Sequence, residues 1–299
     1  MTFWKTAALA MSALALTAAC EQKTPATAEA RGPALWRVGD ADTTVYLFGT
    51  VHVLPPELVW RKPPIDKALG EAKAIYFETD IDPNPKEMLP IIQQLGMYQP
   101  PEKLSDHLKP ADRTALEAAA VKLETPMFLL DQMRPWLAAV TLSEAMITNA
   151  GYDVNSGVER KLAPDAIAAG KEIRKLETVG EQLLVFADLP EEVQIRFLMD
   201  GVKEIDKEST TLDDMVNAWA AGDVVKLEKI MIEEDLAENP EIYQALLVKR
   251  NSNWVTKIDQ LIKTEPGTFV IAVGAAHLTG KDSVIAKLAP AGYTAQRVE

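Results

Sequence analysis

From about Pro85 to Glu265 the apolar residues recur with a period near 3.6, as in Trp136, Val140, Leu142 and Met146, or Leu246, Leu247, Trp254, Ile258 and Leu261. More than half of the chain is thereby committed to helix, with one weak strand, Glu172 to Leu176, inside it. The flanks are of the opposite kind. Trp36 to Val38 and Thr43 to Val53 read as two strands around a Gly39-Asp40 turn. Ala74 to Glu78 is a third, preceded by a short helix from Pro64 to Ala72, a strand-helix-strand crossover that makes a parallel pair. After the helical stretch come a strand at Thr268 to Val273, a short helix at Gly280 to Leu288 and an edge segment near Tyr293 to Val298. Unbroken apolar runs such as Val45-Tyr46-Leu47-Phe48 suit strands covered on both faces. The predicted fold is α/β: a mixed, largely parallel central sheet in a body spanning 34–298, with a large helical insertion over about 85–265. No solenoid-type repeat is present.

Composition narrows the chemistry. A net charge of −13 repels phosphate backbones, so nucleic acid is not an expected partner. One cysteine excludes an intramolecular disulfide, a cysteine zinc cage and a Cys-x-x-Cys redox pair. Three histidines and the carboxylates are left for acid-base or metal work. The cysteine, Cys20, closes a small apolar run from Thr6 to Ala19 behind Lys5; at 14 residues this is too short to span a bilayer and reads as a secretory signal over 1–19. Leu16-Thr17-Ala18-Ala19-Cys20 resembles a bacterial lipobox, although Thr17 stands where a leucine is usual; ordinary cleavage beside an incidental thiol is the alternative. Residues 20–33 then form the lipidated cysteine and a flexible tether. The expected address is the periplasmic face of a bacterial envelope, and Glu21 after Cys20 favours an outer-membrane lipoprotein.

The two strongest strands end alike, in Gly49-Thr50-Val51-His52 and Gly274-Ala275-Ala276-His277. Ligands of open α/β sheets sit beyond the carboxyl ends of the strands, and a glycine there lets backbone turn sharply or approach a ligand closely. The third strand ends in Glu78, which is costly to bury unless paired or coordinated. His52, Glu78 and His277 make a two-histidine, one-carboxylate set that suits a divalent transition ion with room left for water, the arrangement of a hydrolytic metal site. A histidine ending a single strand is otherwise a structural group, and His107, among turn formers, is read as structural or exposed. Asp80 either opens a loop or accepts a hydrogen bond from a ligand histidine. Arg250 falls on the apolar stripe of a helix over Pro240 to Lys263. It needs either an internal partner such as Glu177 or Glu159, or a role at the site as a transition-state oxyanion stabiliser or a clamp on a substrate carboxylate. Asn251 beside it is expected to donate a hydrogen bond to the same site; Glu159 and Glu177 are structural acids or general bases.

Phe48-Gly49-Thr50-Val51-His52-Val53-Leu54-Pro55, Phe77-Glu78-Thr79, Pro135-Trp136-Leu137, Gly151-Tyr152-Asp153, Gly157-Val158-Glu159, Leu176-Glu177-Thr178, Lys249-Arg250-Asn251 with Trp254, and Val273-Gly274-Ala275-Ala276-His277-Leu278 together resemble the TraB/GumN (TraB/PrgY/GumN) family over roughly residues 34–298. The resemblance implies kinship with Tiki-type metal-dependent proteases and with the erythromycin-esterase and ChaN-like fold. It implies ligand roles for His52 and His277, a ligand or base role for Glu78, functional roles for Arg250 and Asn251, and Mn or Co as the favoured ion, beside which the donor set also admits Zn. The function expected is a cell-envelope metallohydrolase acting on peptide or protein substrates. The alternative is a lipid-anchored haem- or peptide-binding protein without catalysis.

Overall fold

The computed structural model describes residues 32–205, 211–236 and 239–298. The signal segment over 1–19 and Cys20 lie outside the described residues. A six-stranded sheet organises the rest, in the order β4-β3-β5-β2-β1-β6. Its strands are β1 (Leu35–Gly39), β2 (Thr43–Thr50), β3 (Ala74–Phe77), β4 (Glu172–Lys175), β5 (Gly267–Gly274) and β6 (Gln296–Arg297). β4, β3, β5 and β2 run parallel to one another, while β1 is antiparallel to both of its neighbours. The sheet is therefore mixed and largely parallel, as its apolar runs imply.

The principal helices are α1 (Pro63–Glu71), α2 (Pro85–Gly96), α3 (Pro110–Lys122), α4 (Pro135–Asn149), α5 (Val158–Ala168), α6 (Val179–Ala187), α7 (Glu191–Ile205), α8 (Thr211–Ala221), α9 (Arg250–Thr264) and α10 (Val284–Leu288). The period of two in the strands sorts their side chains between two layers. Tyr46, Phe48, Ile75, Phe77, Val270 and Ala272 join the core shared with α1 and α3–α8. Val45, Leu47, Phe269, Ile271 and Val273 pack instead on Trp254, Ile258 and Leu261 of α9 and on Val284 and Leu288 of α10. Within the larger layer Trp136, Phe186 and Phe197 stack in series at 6.1 and 5.9 Å.

Several boundaries differ from the pattern in the sequence. β2 stops at Thr50 rather than Val53, which leaves His52 on a loop. The weak strand expected over Glu172 to Leu176 forms as the edge strand β4, one residue shorter, after the left-handed Gly170 ends α5. The helix expected from Pro240 to Lys263 contains a π-helical segment, Gln244–Lys249, directly before α9. The helix expected from Gly280 begins only at Val284, where Ser283 caps it.

Candidate active site

Parallel strands share the direction of their carboxyl ends, so β2, β3, β4 and β5 all run out at one rim. Each is followed within three residues by a candidate site residue: His52, Glu78, Glu177 and His277. Gly274, in register with Thr50, is their meeting point. A Cβ on it would lie 3.2 Å from Glu78 Oε1, 3.6 Å from the His277 ring and 3.7 Å from His52 Nε2. The backbone N–H of Gly274 donates to Glu78 Oε1 at 2.7 Å. A methyl group here would crowd Glu78 Oε1, the tightest of the three contacts, and touch both rings, so glycine leaves the point of convergence open.

Each imidazole is held by its Nδ1. On His52, Nδ1 lies 3.0 Å from Glu159 Oε1, and the Thr50 hydroxyl donates to that same carboxylate oxygen. Glu159 sits in the first turn of α5, which is drawn against the His52 loop by a bond from the Val158 N–H to the Val51 carbonyl, 3.1 Å. Gly157 permits this approach: a Cβ there would lie 2.0 Å from the His52 carbonyl oxygen. Burial alone would lower the His52 pKa, but the adjacent Glu159 carboxylate reverses this and holds it above the ordinary value. On His277, Nδ1 lies 2.6 Å from Asn251 Oδ1, and the Asn251 amide nitrogen donates to the Asp282 carbonyl at 2.8 Å. Asn251 Oδ1 therefore accepts the Nδ1 proton, leaving a lone pair on His277 Nε2. Burial and the neighbouring Arg250 guanidinium push the His277 pKa down to about 3, so the ring is neutral. The face of the ring packs on Trp254, 4.4 Å between centroids.

Arg250 fills the space between these groups. Its guanidinium donates to Glu78 Oε2 at 2.6 Å, to Glu177 Oε1 at 2.6 Å, to His277 Nε2 at 3.0 Å and to the Leu246 carbonyl at 3.2 Å. It also lies over the Trp254 ring at 4.6 Å. Trp254 Nε1 donates to Glu177 Oε2 at 3.3 Å, and Gln182 Nε2 to Glu78 Oε2 at 3.3 Å. Burial acts to raise both carboxylates. For Glu78 the charges of Arg250 and the histidines and the Gly274 N–H prevail, holding it well below the usual carboxylate range. For Glu177 burial prevails over Arg250 and the pKa is raised.

The donor types suit a divalent ion, for two imidazoles each offer an Nε2 while their Nδ1 atoms are held by an oxygen acceptor, beside an ionised carboxylate. The guanidinium of Arg250 occupies the approach to Glu78 and His277, bonding to Glu78 Oε2 and His277 Nε2, while Glu78 Oε1 lies 3.7 Å from His277 Nε2. Among the described residues no group of three or more His, Cys, Asp and Glu side chains is spaced to hold an ion. A cavity of about 110 Å³ opens beside His52, Glu78 and Glu159.

The structure thus brings together His52, Glu78, His277, Arg250, Asn251, Glu159 and Glu177. Arg250 pairs with Glu177 and Glu78, whereas Glu159 belongs to His52. Asn251 differs from its expected part, since toward the site it accepts a hydrogen bond and spends its donor on Asp282. Asp80 pairs with Lys175 at 2.6 Å and receives nothing from either site histidine. His107 lies apart, its ring nitrogens 2.7 and 3.1 Å from Glu191 and Glu102 and its ring stacked on Tyr98, so it is structural and half-buried. Gln182 and Thr50 carry no signal in the sequence beyond their neighbours. Gly157 stands two residues before Glu159, and only the folded contact with His52 explains it.

The model of the TraB/PrgY/gumN family matches residues 34–297. The chain is 22% identical to the uncharacterised protein YbaP of Escherichia coli (strain K12), over 80% of this chain and 85% of that one. It is 23% identical to an uncharacterised protein of Treponema pallidum, over 83% and 78%. It is 25% identical to the metalloprotease TIKI1 of Danio rerio, over 87% of this chain and 62% of that one. No solved structure matches it.

Proposed function

This chain belongs to the TraB/PrgY/gumN family, and from that premise we propose that it is a metal-dependent hydrolase of peptide or protein substrates. The observation that supports this reading most is the convergence of His52 Nε2, Glu78 and His277 over Gly274, with Glu159 and Asn251 holding the far side of each imidazole. The relative of known type is a metalloprotease. Charge supports the same reading: Glu78, Glu159 and Glu177 are buried together against one guanidinium and the His52 ring, a surplus of negative charge that a cation relieves.

His52, Glu78 and His277 would hold Mn²⁺, Co²⁺ or Zn²⁺. Such an ion supplies water of lowered pKa and polarises the carbonyl under attack. Glu159 holds the ring of His52, which lines the cavity, and Asn251 fixes the ring orientation of His277. Arg250 gives up its bond to His277 while Glu177 retains the guanidinium, which then faces the carbonyl oxygen and stabilises its developing charge. Glu78, Asp80 and Glu159 line the same cavity, and one of them accepts the proton.

Cleavage of a peptide library by the whole chain should need added metal, cease with chelator and recover on metal add-back, while His277→Ala loses at least about a hundredfold in rate. Metal-independent cleavage, or cleavage unaffected by His277→Ala, contradicts the reading. We place the protein in the cell envelope, exported by residues 1–19 and lipidated on Cys20 at the periplasmic face, as an outer-membrane lipoprotein. Labelled palmitate should enter the chain and be lost in Cys20→Ser; equal labelling of that variant contradicts the anchor.

A further inference from the structure

The cavity beside the candidate site has two unlike walls. His52, Glu78, Asp80, Glu159, Arg160 and Gln182 form the polar one, and the second is apolar, built from Ile81, Met88 of α2, and Val179 and Leu183 of α6. Thr79, directly after Glu78, also lines it, and its Oγ1 is buried with no hydrogen-bond partner among the described residues. Buried hydroxyls are ordinarily satisfied, so an orphaned one on a residue that lines a cavity can bond a ligand's polar group once rotation about χ1 turns it to the cavity. Size limits what enters. A cavity of about 150 Å³ takes the six carbons of benzene, so about 110 Å³ takes roughly four.

On the reading of the site as a peptide hydrolase, we propose that this cavity is the subsite for an aliphatic side chain of the size of valine, leucine or isoleucine flanking the scissile bond, with Thr79 Oγ1 hydrogen-bonded to the peptide group of that same residue. An acidic side chain would be desolvated against Met88, Val179 and Leu183 beside the carboxylates of Glu78, Asp80 and Glu159, and is disfavoured. An aromatic ring exceeds the volume. Met88, half-buried at the outer edge, sets the depth, and Thr79 sets the register of the substrate backbone.

Two measurements test this separately from catalysis. Peptides differing only in Gly, Ala, Val, Leu, Phe, Glu or Trp at one position beside the scissile bond are assayed for cleavage with the whole chain and added Mn²⁺. N-acetyl-leucine amide and its Ala, Glu and Trp counterparts are assayed for binding by saturation-transfer NMR without metal. Leu and Val should exceed Ala by about tenfold or more in kcat/KM, with Glu, Phe and Trp poorer still. Met88→Trp should bring the Leu-to-Ala ratio toward one, and Thr79→Val should weaken every substrate about tenfold while Thr79→Ser retains most of the affinity. Cleavage without aliphatic preference, or a Leu-to-Ala ratio indifferent to Met88→Trp in a protein with native circular dichroism, overturns the subsite and leaves the hydrolase standing. Selective binding of the leucine amide, abolished by Met88→Trp, without cleavage under any metal supports the subsite and overturns the hydrolase. Neither binding nor cleavage overturns both.

Discussion

At the scale of single residues the site is governed by the cost of burying charge. Glu78, Glu177 and Arg250 are all nearly inaccessible to water, and none would be tolerated there alone. The guanidinium resolves this through its fork, which reaches two carboxylates and an imidazole nitrogen at once. Arg250→Met should therefore destabilise the fold by about 3–5 kcal/mol, read as a fall in the urea midpoint, because it leaves two carboxylates buried without their partner. Arg250→Lys keeps a charge but loses the fork and should recover only part of the loss; a variant as stable as wild type would show that the cluster is not held by this residue. The sequence placed Arg250 on an apolar stripe and so made the need for a partner visible. It did not choose between Glu159 and Glu177, because which acid lies opposite a helix position is a matter of packing.

At the scale of elements, the four parallel strands act as a set of pointers, each delivering one residue to the rim. The same is true of the helices that close the site. α6 starts at Val179, two residues after Glu177, with Thr178 and Glu181 in a reciprocal capping box: the Glu181 N–H donates to the Thr178 hydroxyl at 3.1 Å, and the Thr178 N–H to Glu181 Oε2 at 2.7 Å. That cap fixes the entry of the helix that carries Gln182 and Leu183. Thr178→Ala should cost about 1 kcal/mol in urea unfolding. A loss indistinguishable from zero would mean that tertiary packing alone holds the end of α6. The strand runs, the crossover helix α1 and the helical character of the middle were legible from periodicity. The π-helical segment Gln244–Lys249 was not, since apolar spacing alone does not mark one extra residue per turn.

At the scale of the molecule, one pattern recurs far from the site. Five of the six tyrosines donate to a carboxylate: Tyr46 to Glu71 at 3.0 Å, Tyr98 to Glu191 at 3.2 Å, Tyr152 to Asp213 at 2.5 Å, Tyr243 to Asp282 at 2.8 Å and Tyr293 to Asp259 at 2.9 Å. Burial first, and then the neighbouring negative charge, raises every one of these phenols above 10, Tyr293 to about 12. A group whose folded pKa lies above its unfolded value stabilises the fold below the unfolded value, and that contribution is lost as pH rises past it. Stability should thus hold up to about pH 10 and fall steeply above it, with phenolate absorbance appearing together with unfolding rather than ahead of it. Urea midpoints equal at pH 8 and pH 11 would contradict this. With 44 acidic against 31 basic side chains, the chain has carboxylates to spare for such bonds.

The sequence by itself determined the alternation of elements, the burial of β2 and β5 on both faces and the identity of the residues at the strand ends, because these follow from local periodicity and from the chemistry of side chains on an apolar run. His52, Glu78 and His277 were readable for that reason. Only the tertiary structure decided that Glu159 serves His52 while Asn251 serves His277, that Arg250 lies between Glu78 and His277, and that Thr79 faces a cavity with its hydroxyl unbonded. Each of those facts depends on which distant segments pack together. A close contact such as Gly157 against the His52 carbonyl, across more than a hundred residues of chain, has no local signature.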